Sequence, residues 1–172
     1  MKFYIFSFIF YNNNGDYMKK KIYLLSFIFF IIDLISKICI TNTKLSMPYK
    51  IIKNFFYIDR VTNTGGAFSL FMGETVLLII VAILVLIYID RRVIDDIKTK
   101  LECIGISMTI GGILGNLLDR VIYGKITDFL SFKFWSYNFP VFNLADTFIC
   151  MGILLLLIEY LRTYKRGEKN GN

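Results

Sequence analysis

Acidic, amide and basic side chains lie within the long apolar runs of this chain, where charge is unfavourable. A charged side chain at the centre of a bilayer costs at least about 2.5 kcal/mol on the insertion scale, so each one needs an explanation. Asp33 and Lys37 are spaced i,i+4 and share one face of a predicted helix. Asn116 and Asp119 lie three residues apart in another run, with Arg120 next in sequence. Each set therefore offers charged and amide groups from one helix.

A second set of polar residues lies near the ends of the apolar runs. The fourth run opens with Asn143 and Asp146, whereas Asn63 and Asp128 fall in the segments that join the runs. With the orientation given below, all of these residues gather near one membrane surface. Intramembrane Asp, Arg and Asn can also act as interhelical hydrogen-bonding groups. That role does not require several carboxylates at one depth, so we favour a functional site.

The chain contains no histidine, which excludes Ser-His-Asp and Cys-His nucleophilic schemes and histidine proton shuttles. Two carboxylates held close together in a poorly solvated site share a proton and titrate as a unit. The ionised carboxylate can take a proton from water while the protonated one donates to a substrate carbonyl. A pair of aspartates is therefore the simplest hydrolytic apparatus that this composition allows.

The cysteines point to neither a metal site nor a redox site. Cys39, Cys103 and Cys150 each lie within an apolar run and show no CxxC spacing. Free cysteine packs as a small apolar residue, and we interpret all three in that way. We expect no metal and no cofactor.

Four apolar runs predict four membrane spans. Hydrophobic residues make up 56% of the 172 residues, and a span needs about 20 consecutive apolar residues to cross about 30 Å of hydrocarbon. The predicted spans cover about 22–40, 71–89, 101–123 and 139–161. The predicted fold class is an all-α integral membrane protein with four transmembrane helices. A small β-rich segment on the outer face is expected between spans one and two.

Basic residues cluster before span one, between spans two and three, and after span four. By the positive-inside rule this distribution places both termini in the cytoplasm, and the polar residues near the outer face. The net charge of +7 then reflects topology, and no nucleic-acid partner is expected. Residues 1–17 form an unassigned N-terminal extension, 18–164 the membrane domain, and 165–172 a basic cytoplasmic tail.

Three other functions compete with hydrolysis at this stage. A proton- or ion-coupled transporter would keep acidic residues near mid-depth, usually within repeated halves. A magnesium-dependent transferase of lipid headgroups would need carboxylates clustered on a metal, and chelator would inactivate it. A purely structural membrane subunit would tolerate asparagine in place of its aspartates.

Four ordered blocks of the sequence resemble those of the bacterial lipoprotein signal peptidases, also called type II signal peptidases. The blocks are Asp33–Lys37, Asn63–Ser69, Gly111–Arg120 leading to Thr127–Phe129, and Phe142–Asp146. The resemblance covers about residues 18–164. Gly66 departs from the pattern, because the family more often has alanine there.

The resemblance implies that Asp128 and Asp146 are the catalytic residues. The residues alone leave the choice between Asp119 and Asp128 open, since Asp119 lies more clearly on the polar helical face. The resemblance also implies supporting residues that line or brace the pocket: Asn63, Asn116, Arg120, Asn143, Asp33 and Lys37.

By the same resemblance, the chain is an aspartic endopeptidase that cleaves prolipoproteins before a diacylglyceryl-modified cysteine. It is then located in the bacterial cytoplasmic membrane, in contact with lipid, with its active site near the outer face. The peptide inhibitor globomycin is expected to occupy the site. We expect a monomer, because four spans can enclose one internal site.

Overall fold

The computed structural model describes the backbone of residues 2–65 and 73–170, and the side chains of 17–65 and 73–166. The described residues form four α-helices and four strands. They are α1 (Lys2–Asn42), β1 (Tyr49–Ile52), β2 (Phe56–Asn63), α2 (Thr75–Tyr88), α3 (Lys100–Tyr123), β3 (Ile126–Phe134), β4 (Tyr137–Asn138) and α4 (Leu144–Asn170). A π-helical turn (Ile89–Val93) and a 3₁₀ turn (Ile94–Asp96) extend α2 toward α3.

Three helices among the described residues are long and apolar enough to cross a membrane. These helical segments are Tyr17–Asn42, Lys100–Tyr123 and Leu144–Arg166. The second predicted span fits less well, because α2 has 14 residues and at 1.5 Å per residue extends only about 21 Å. Three of the four predicted spans therefore correspond to helices that are long and apolar enough to cross a membrane.

The ends of two predicted spans differ from the structure. The fourth helix begins at Leu144 and not near 139, because Phe142 forms a β-bridge with Leu130 and the chain stays extended up to that point. The first helix begins at Lys2, so the backbone of the segment that we left unassigned continues α1.

Helix α3 is the central helix of the bundle, and glycines bring its neighbours close. A Cβ atom built on Gly115 would collide with the carboxylate of Asp33 on α1, and one built on Gly112 with the backbone oxygen of Ala145 on α4. Only glycine allows these approaches. The result is that Asp33 and the start of α4 both lie directly against the polar part of α3.

The sheet is larger than predicted. Its antiparallel strands lie in the order β1-β2-β3-β4, so half of it comes from the segment between α3 and α4. Strand β2 pairs with β3 over Asn63↔Ile126 to Phe56↔Phe132, and the rings of Phe56 and Phe132 stack with their centroids 4.7 Å apart. This pairing holds the first residues of β3, including Asp128, against α3 and α4.

Candidate active site

Asp128 is the third residue of β3 and is only 2% exposed. Both of its carboxylate oxygens accept amide hydrogen bonds. Asn63 Nδ2 donates to Oδ2 at 3.0 Å, and Asn143 Nδ2 donates to Oδ1 at 2.7 Å. The antiparallel register explains the first contact, since Asn63 and Asp128 lie near each other on paired strands. The carboxylate is therefore fixed from both sides.

Asp146 lies in the first turn of α4 and belongs to a capping box. The Asn143 side-chain oxygen accepts from the Asp146 backbone N–H at 2.9 Å. In return, Asp146 Oδ2 accepts from the Asn143 backbone N–H at 3.3 Å. Such reciprocal bonds satisfy N–H groups that a helix start otherwise leaves unpaired. The helix N-terminus also favours negative charge on Asp146.

Asn143 links the two aspartates, which we call the aspartate pair. Its side-chain amide donates to Asp128, while its backbone N–H donates to Asp146. The residue is fully buried, so its orientation is set by protein groups alone. A second amide, Asn116 Nδ2, donates to Asp146 Oδ1 at 2.8 Å.

Beneath the aspartate pair lie three buried charged residues, here called the acid–lysine cluster: Asp33, Lys37 and Asp119. Lys37 Nζ lies 2.7 Å from Asp33 Oδ2 and 3.1 Å from Asp119 Oδ2. Asp33 Oδ1 also accepts from the Ala145 backbone N–H at 2.8 Å. Buried charges are tolerated when they are paired and hydrogen-bonded, and this cluster meets that condition.

Lys37 connects the cluster to the aspartate pair. Its Nζ donates to Asn116 Oδ1 at 3.0 Å, and Asn143 Nδ2 donates to the same oxygen at 3.1 Å. Because two donors share this oxygen, the NH₂ group of Asn116 must point the other way, toward Asp146.

Arg120 lies at the opposite side of the site and contacts the loop after β2. Its guanidinium donates to the Gly65 carbonyl at 3.0 Å, and the Gly65 N–H donates to Asn63 Oδ1 at 2.8 Å. Arg120 therefore holds the loop residue Gly65, whose N–H in turn holds the side chain of Asn63.

The pKa of Asp128 is raised to about 6. Burial is the main cause, and the charge of Asp146 adds to it. The hydrogen bonds from Asn63 and Asn143 and the charge of Lys37 lower this pKa in part. A carboxyl with such a pKa can hold a proton near neutral pH and release it readily.

Asp128 and Asp146 face one cavity of about 610 Å³ between α2, α3 and α4. Its polar end also includes Asn63, Asn116 and Arg120, while the helices α2 and α4 supply apolar walls. The apolar wall residues on these two helices are Leu78, Val81, Ala82, Val85, Ile149, Cys150 and Met151. The cavity therefore combines a reactive polar end with a long apolar surface.

All eight predicted site residues fall into one connected set of hydrogen bonds and ion pairs. The chain of contacts runs from Asp33 and Lys37 through the asparagines to the aspartate pair, and through Gly65 to Arg120. The sequence did not indicate the capping box as such, although the Asn-x-x-Asp spacing is its signal. Nor did it indicate that Gly65 contributes its carbonyl.

Within the described residues, no group of three or more His, Cys, Asp and Glu side chains is arranged to hold a metal ion. The fold and site together define a helical membrane protein with a buried aspartate pair where a small sheet meets the helix bundle.

Comparison with known proteins agrees with this class. Residues 25–162 match the family described as signal peptidase (SPase) II. The lipoprotein signal peptidase of Bacillus pumilus (strain SAFR-032) is 30% identical over 153 residues, covering 86% of this chain and 97% of the relative. That of Clostridium novyi (strain NT) is 39% identical over 118 residues, covering 67% and 80%.

A solved structure described as a bacterial membrane enzyme superposes with a TM-score of 0.76 at 29% identity, covering 83% of this chain and 88% of that one. The chain therefore belongs to the signal peptidase II family. Membership of this family makes it a membrane protease.

Proposed function

We propose that this chain is an intramembrane aspartic endopeptidase that cleaves diacylglyceryl-modified prolipoproteins just before the lipidated cysteine. Family membership establishes the broader activity, which is the removal of signal peptides from lipoproteins. The observation that carries the finer proposal is the aspartate pair, Asp128 and Asp146, joined through Asn143 at the polar end of one cavity.

In the proposed reaction, Asp146 is the ionised member of the pair and Asp128 the protonated member. Asp146 takes a proton from a water molecule, whose oxygen attacks the scissile carbonyl carbon. Asp128 donates its proton to the carbonyl oxygen, which gives a neutral gem-diol. The environments support this division, since Asp146 lies at a helix N-terminus and the pKa of Asp128 is raised by burial.

Collapse of the gem-diol breaks the carbon–nitrogen bond. The proton held by Asp146 passes to the leaving nitrogen, which becomes the amino group of the modified cysteine. A gem-diol hydroxyl returns a proton to Asp128 as the new carboxylic acid forms at the end of the signal peptide. The pair thus ends in its starting protonation state, and the reaction consumes one water.

The amide groups around the pair suit the charge that develops during attack. Asn63, Asn116 and Arg120 line the same cavity as the aspartates, where donors can stabilise charge on the substrate oxygen or hold its backbone. Asp33 and Lys37 brace this arrangement from below. Each donor is already placed by another protein group, so little reorganisation is needed at the moment of reaction.

The cavity walls suit a substrate that enters from lipid. The polar end continues into apolar side chains of α2 and α4, which fits a peptide with an apolar signal segment and a diacylglyceryl anchor. Anchoring in the bilayer positions the peptide bond before reaction and makes the encounter nearly intramolecular.

We further propose the topology predicted from the basic clusters. Helix α2 with its π-helical extension then completes a fourth span, both termini lie in the cytoplasm, and the aspartate pair lies near the outer face of the bacterial cytoplasmic membrane. Residues 18–164 would form the membrane domain and 165–172 a cytoplasmic tail, and the chain would act as a monomer. Exposed apolar residues along α2 support its contact with lipid.

Cleavage of a diacylglyceryl-modified prolipoprotein by the purified chain tests the proposal. Wild type is compared with Asp128→Asn and Asp146→Asn, all in detergent with chelator present and with globomycin as a further condition. We expect cleavage before the modified cysteine by wild type, no detectable cleavage by either variant, and inhibition by globomycin. Chelator-sensitive cleavage, or activity in either variant, would overturn the aspartic mechanism.

A further inference from the structure

Asp119 is a buried carboxylate that the mechanism above does not use. It is 5% exposed and does not belong to the described residues that line the cavity around Asp128 and Asp146. Its oxygen Oδ2 faces Lys37 Nζ at 3.1 Å and accepts from the Thr127 backbone N–H at 3.4 Å. Asp119 therefore lies outside the lining of this cavity and contacts Lys37 and Thr127, which themselves adjoin the site.

We propose that Asp119 is a positioning residue for both members of the aspartate pair. It acts on Asp128 through the backbone of Thr127, and on Asp146 through Lys37 and Asn116. This inference rests on the proposed function, because it explains how the catalytic geometry of that same site is held.

The first path runs through the start of β3. Thr127 immediately precedes Asp128. The hydrogen bond from the Thr127 N–H to Asp119 therefore holds β3 against α3 one residue before Asp128. Thr127 also pairs with Thr62 of β2, one residue before Asn63. Loss of the Asp119 contact would loosen both the carboxylate and one of its two amide donors.

The second path runs through the ammonium of Lys37. Asp119 and Asp33 hold Nζ on two sides, and Nζ donates to Asn116 Oδ1 at 3.0 Å. That bond directs the NH₂ of Asn116 to Asp146 at 2.8 Å. Without Asp119, the ammonium would shift toward Asp33, and Asn116 Oδ1 would lose one of the two donors that fix the orientation of its amide.

The same geometry argues against direct proton transfer by Asp119. Its Oδ2 contacts an ammonium and a backbone N–H, and Asp119 is not among the described residues that line the cavity of Asp128 and Asp146. An acid or base must reach its proton within about 3.2 Å or through one water. The inference therefore gives the catalytic role to Asp128 and a positioning role to Asp119.

Steady-state kinetics of Asp119→Asn give the first test. Asparagine keeps the shape and an acceptor for Thr127 but removes the charge beside Lys37. We expect kcat to fall about 30- to 300-fold with KM changed less than threefold, since small misplacements near the reacting atoms cost about 100-fold. A kcat at the background of Asp128→Asn, or within threefold of wild type, would overturn the proposal.

Hydrogen exchange of the backbone gives a second test that does not depend on activity. Asp119→Ala removes the acceptor of the Thr127 N–H, so in this variant we expect faster exchange in peptides that contain Thr127, and unchanged exchange in peptides from the α2–α3 connection. Lys37→Met breaks the second path while leaving an acceptor for Thr127, so it should lower kcat without the same change in exchange. Exchange at Thr127 equal to wild type in Asp119→Ala would refute the first path.

Ser107→Ala is the matched control for a buried polar substitution in α3. Ser107 is fully buried and donates to Ile22 O and Cys103 O, far from the aspartate pair. We expect its kcat and KM to equal those of wild type. Wild-type cleavage with inactive Asp128→Asn keeps the proposed function standing whatever Asp119→Asn shows, so the two proposals fail separately.

Discussion

The two ends of the helix bundle are held together by different forces. At the end that carries the sheet, α1, α3 and α4 meet through the acid–lysine cluster, the asparagines and the aspartate pair. At the opposite end, where the α2–α3 connection packs on α1, the core is apolar. It consists of Ile22, Ile89, Ile94, Cys103, Ile106 and Ile110.

The difference separates function from stability. Polar contacts are directional, so the sheet end fixes side-chain angles, and a lost partner leaves a buried group unsatisfied. Apolar packing is not directional and stabilises in proportion to buried area. Substitutions at the opposite end should therefore change mainly the stability of the bundle, while substitutions at the sheet end should change mainly kcat.

Outside the aspartate pair itself, the largest effect on activity is expected at Asn143. Asn143→Ala removes the donor to Asp128 and the helix cap together, and we expect kcat to fall about 100- to 1,000-fold, as for loss of one well-placed donor. The loss of the cap should also lower stability by about 1 kcal/mol. Steady-state kinetics and thermal unfolding in detergent measure the two effects.

Asn143→Ser separates these two roles. Serine caps helices about as well as asparagine but has no NH₂ to reach Asp128. We expect stability near wild type with kcat still reduced about 100-fold. If Asn143→Ser keeps both the stability and the kcat of wild type, the hydrogen bond from Asn143 to Asp128 is not needed for catalysis.

The largest effect on stability is expected at the apolar end. Ile106 is 2% exposed in the core, and Ile106→Ala should cost about 2 to 5 kcal/mol. Below its lowered melting temperature, the variant should keep the wild-type kcat. A loss of kcat larger than tenfold at a temperature where it remains folded would contradict the division between the two ends.

The pH dependence of cleavage should report the protonation of Asp128 at the sheet end of the bundle. In the proposed mechanism Asp128 acts as an acid; its pKa is raised to about 6, so it is protonated below that pH and loses its proton above. We therefore expect kcat/KM to fall up to about tenfold per pH unit on the alkaline side of an apparent pKa near 6.

Asn63→Ala sharpens this prediction, because the Asn63 amide favours the ionised form of Asp128. Its removal should raise the pKa further and move the alkaline limb to higher pH. A shift to lower pH, with the fold intact, would contradict the assignment of Asp128 as the acid.

The smallest effect is expected at the surface of the apolar end. Tyr23 donates to Asp90 in an exposed position, and exposed substitutions usually change stability by less than about 0.5 kcal/mol. Tyr23→Phe should therefore leave both melting temperature and kcat at wild-type values. A marked loss in either quantity would mean that this contact does more than its exposure indicates.

The sequence by itself determined the membrane character and the helical bundle, and it predicted eight site residues whose catalytic and supporting roles stay predictions. Apolar runs of about 20 residues, and the charges within them, are local features that the sequence shows directly. The i,i+4 spacing of Asp33 and Lys37, for example, predicts that they share one face of a helix, and in the structure they form an ion pair on α1. The four blocks indicated the family, and the comparisons confirm it.

Only the tertiary structure decided how those residues meet. Asp128 lies on a strand whose partner comes from 65 residues earlier in the chain, and Lys37 reaches Asn116 across 79 residues. The residue pattern within one segment carries no information about contacts between residues so far apart in the sequence. The residues alone left the choice between Asp119 and Asp128 open, and what distinguishes the two is the set of groups that the folded chain places around each carboxylate.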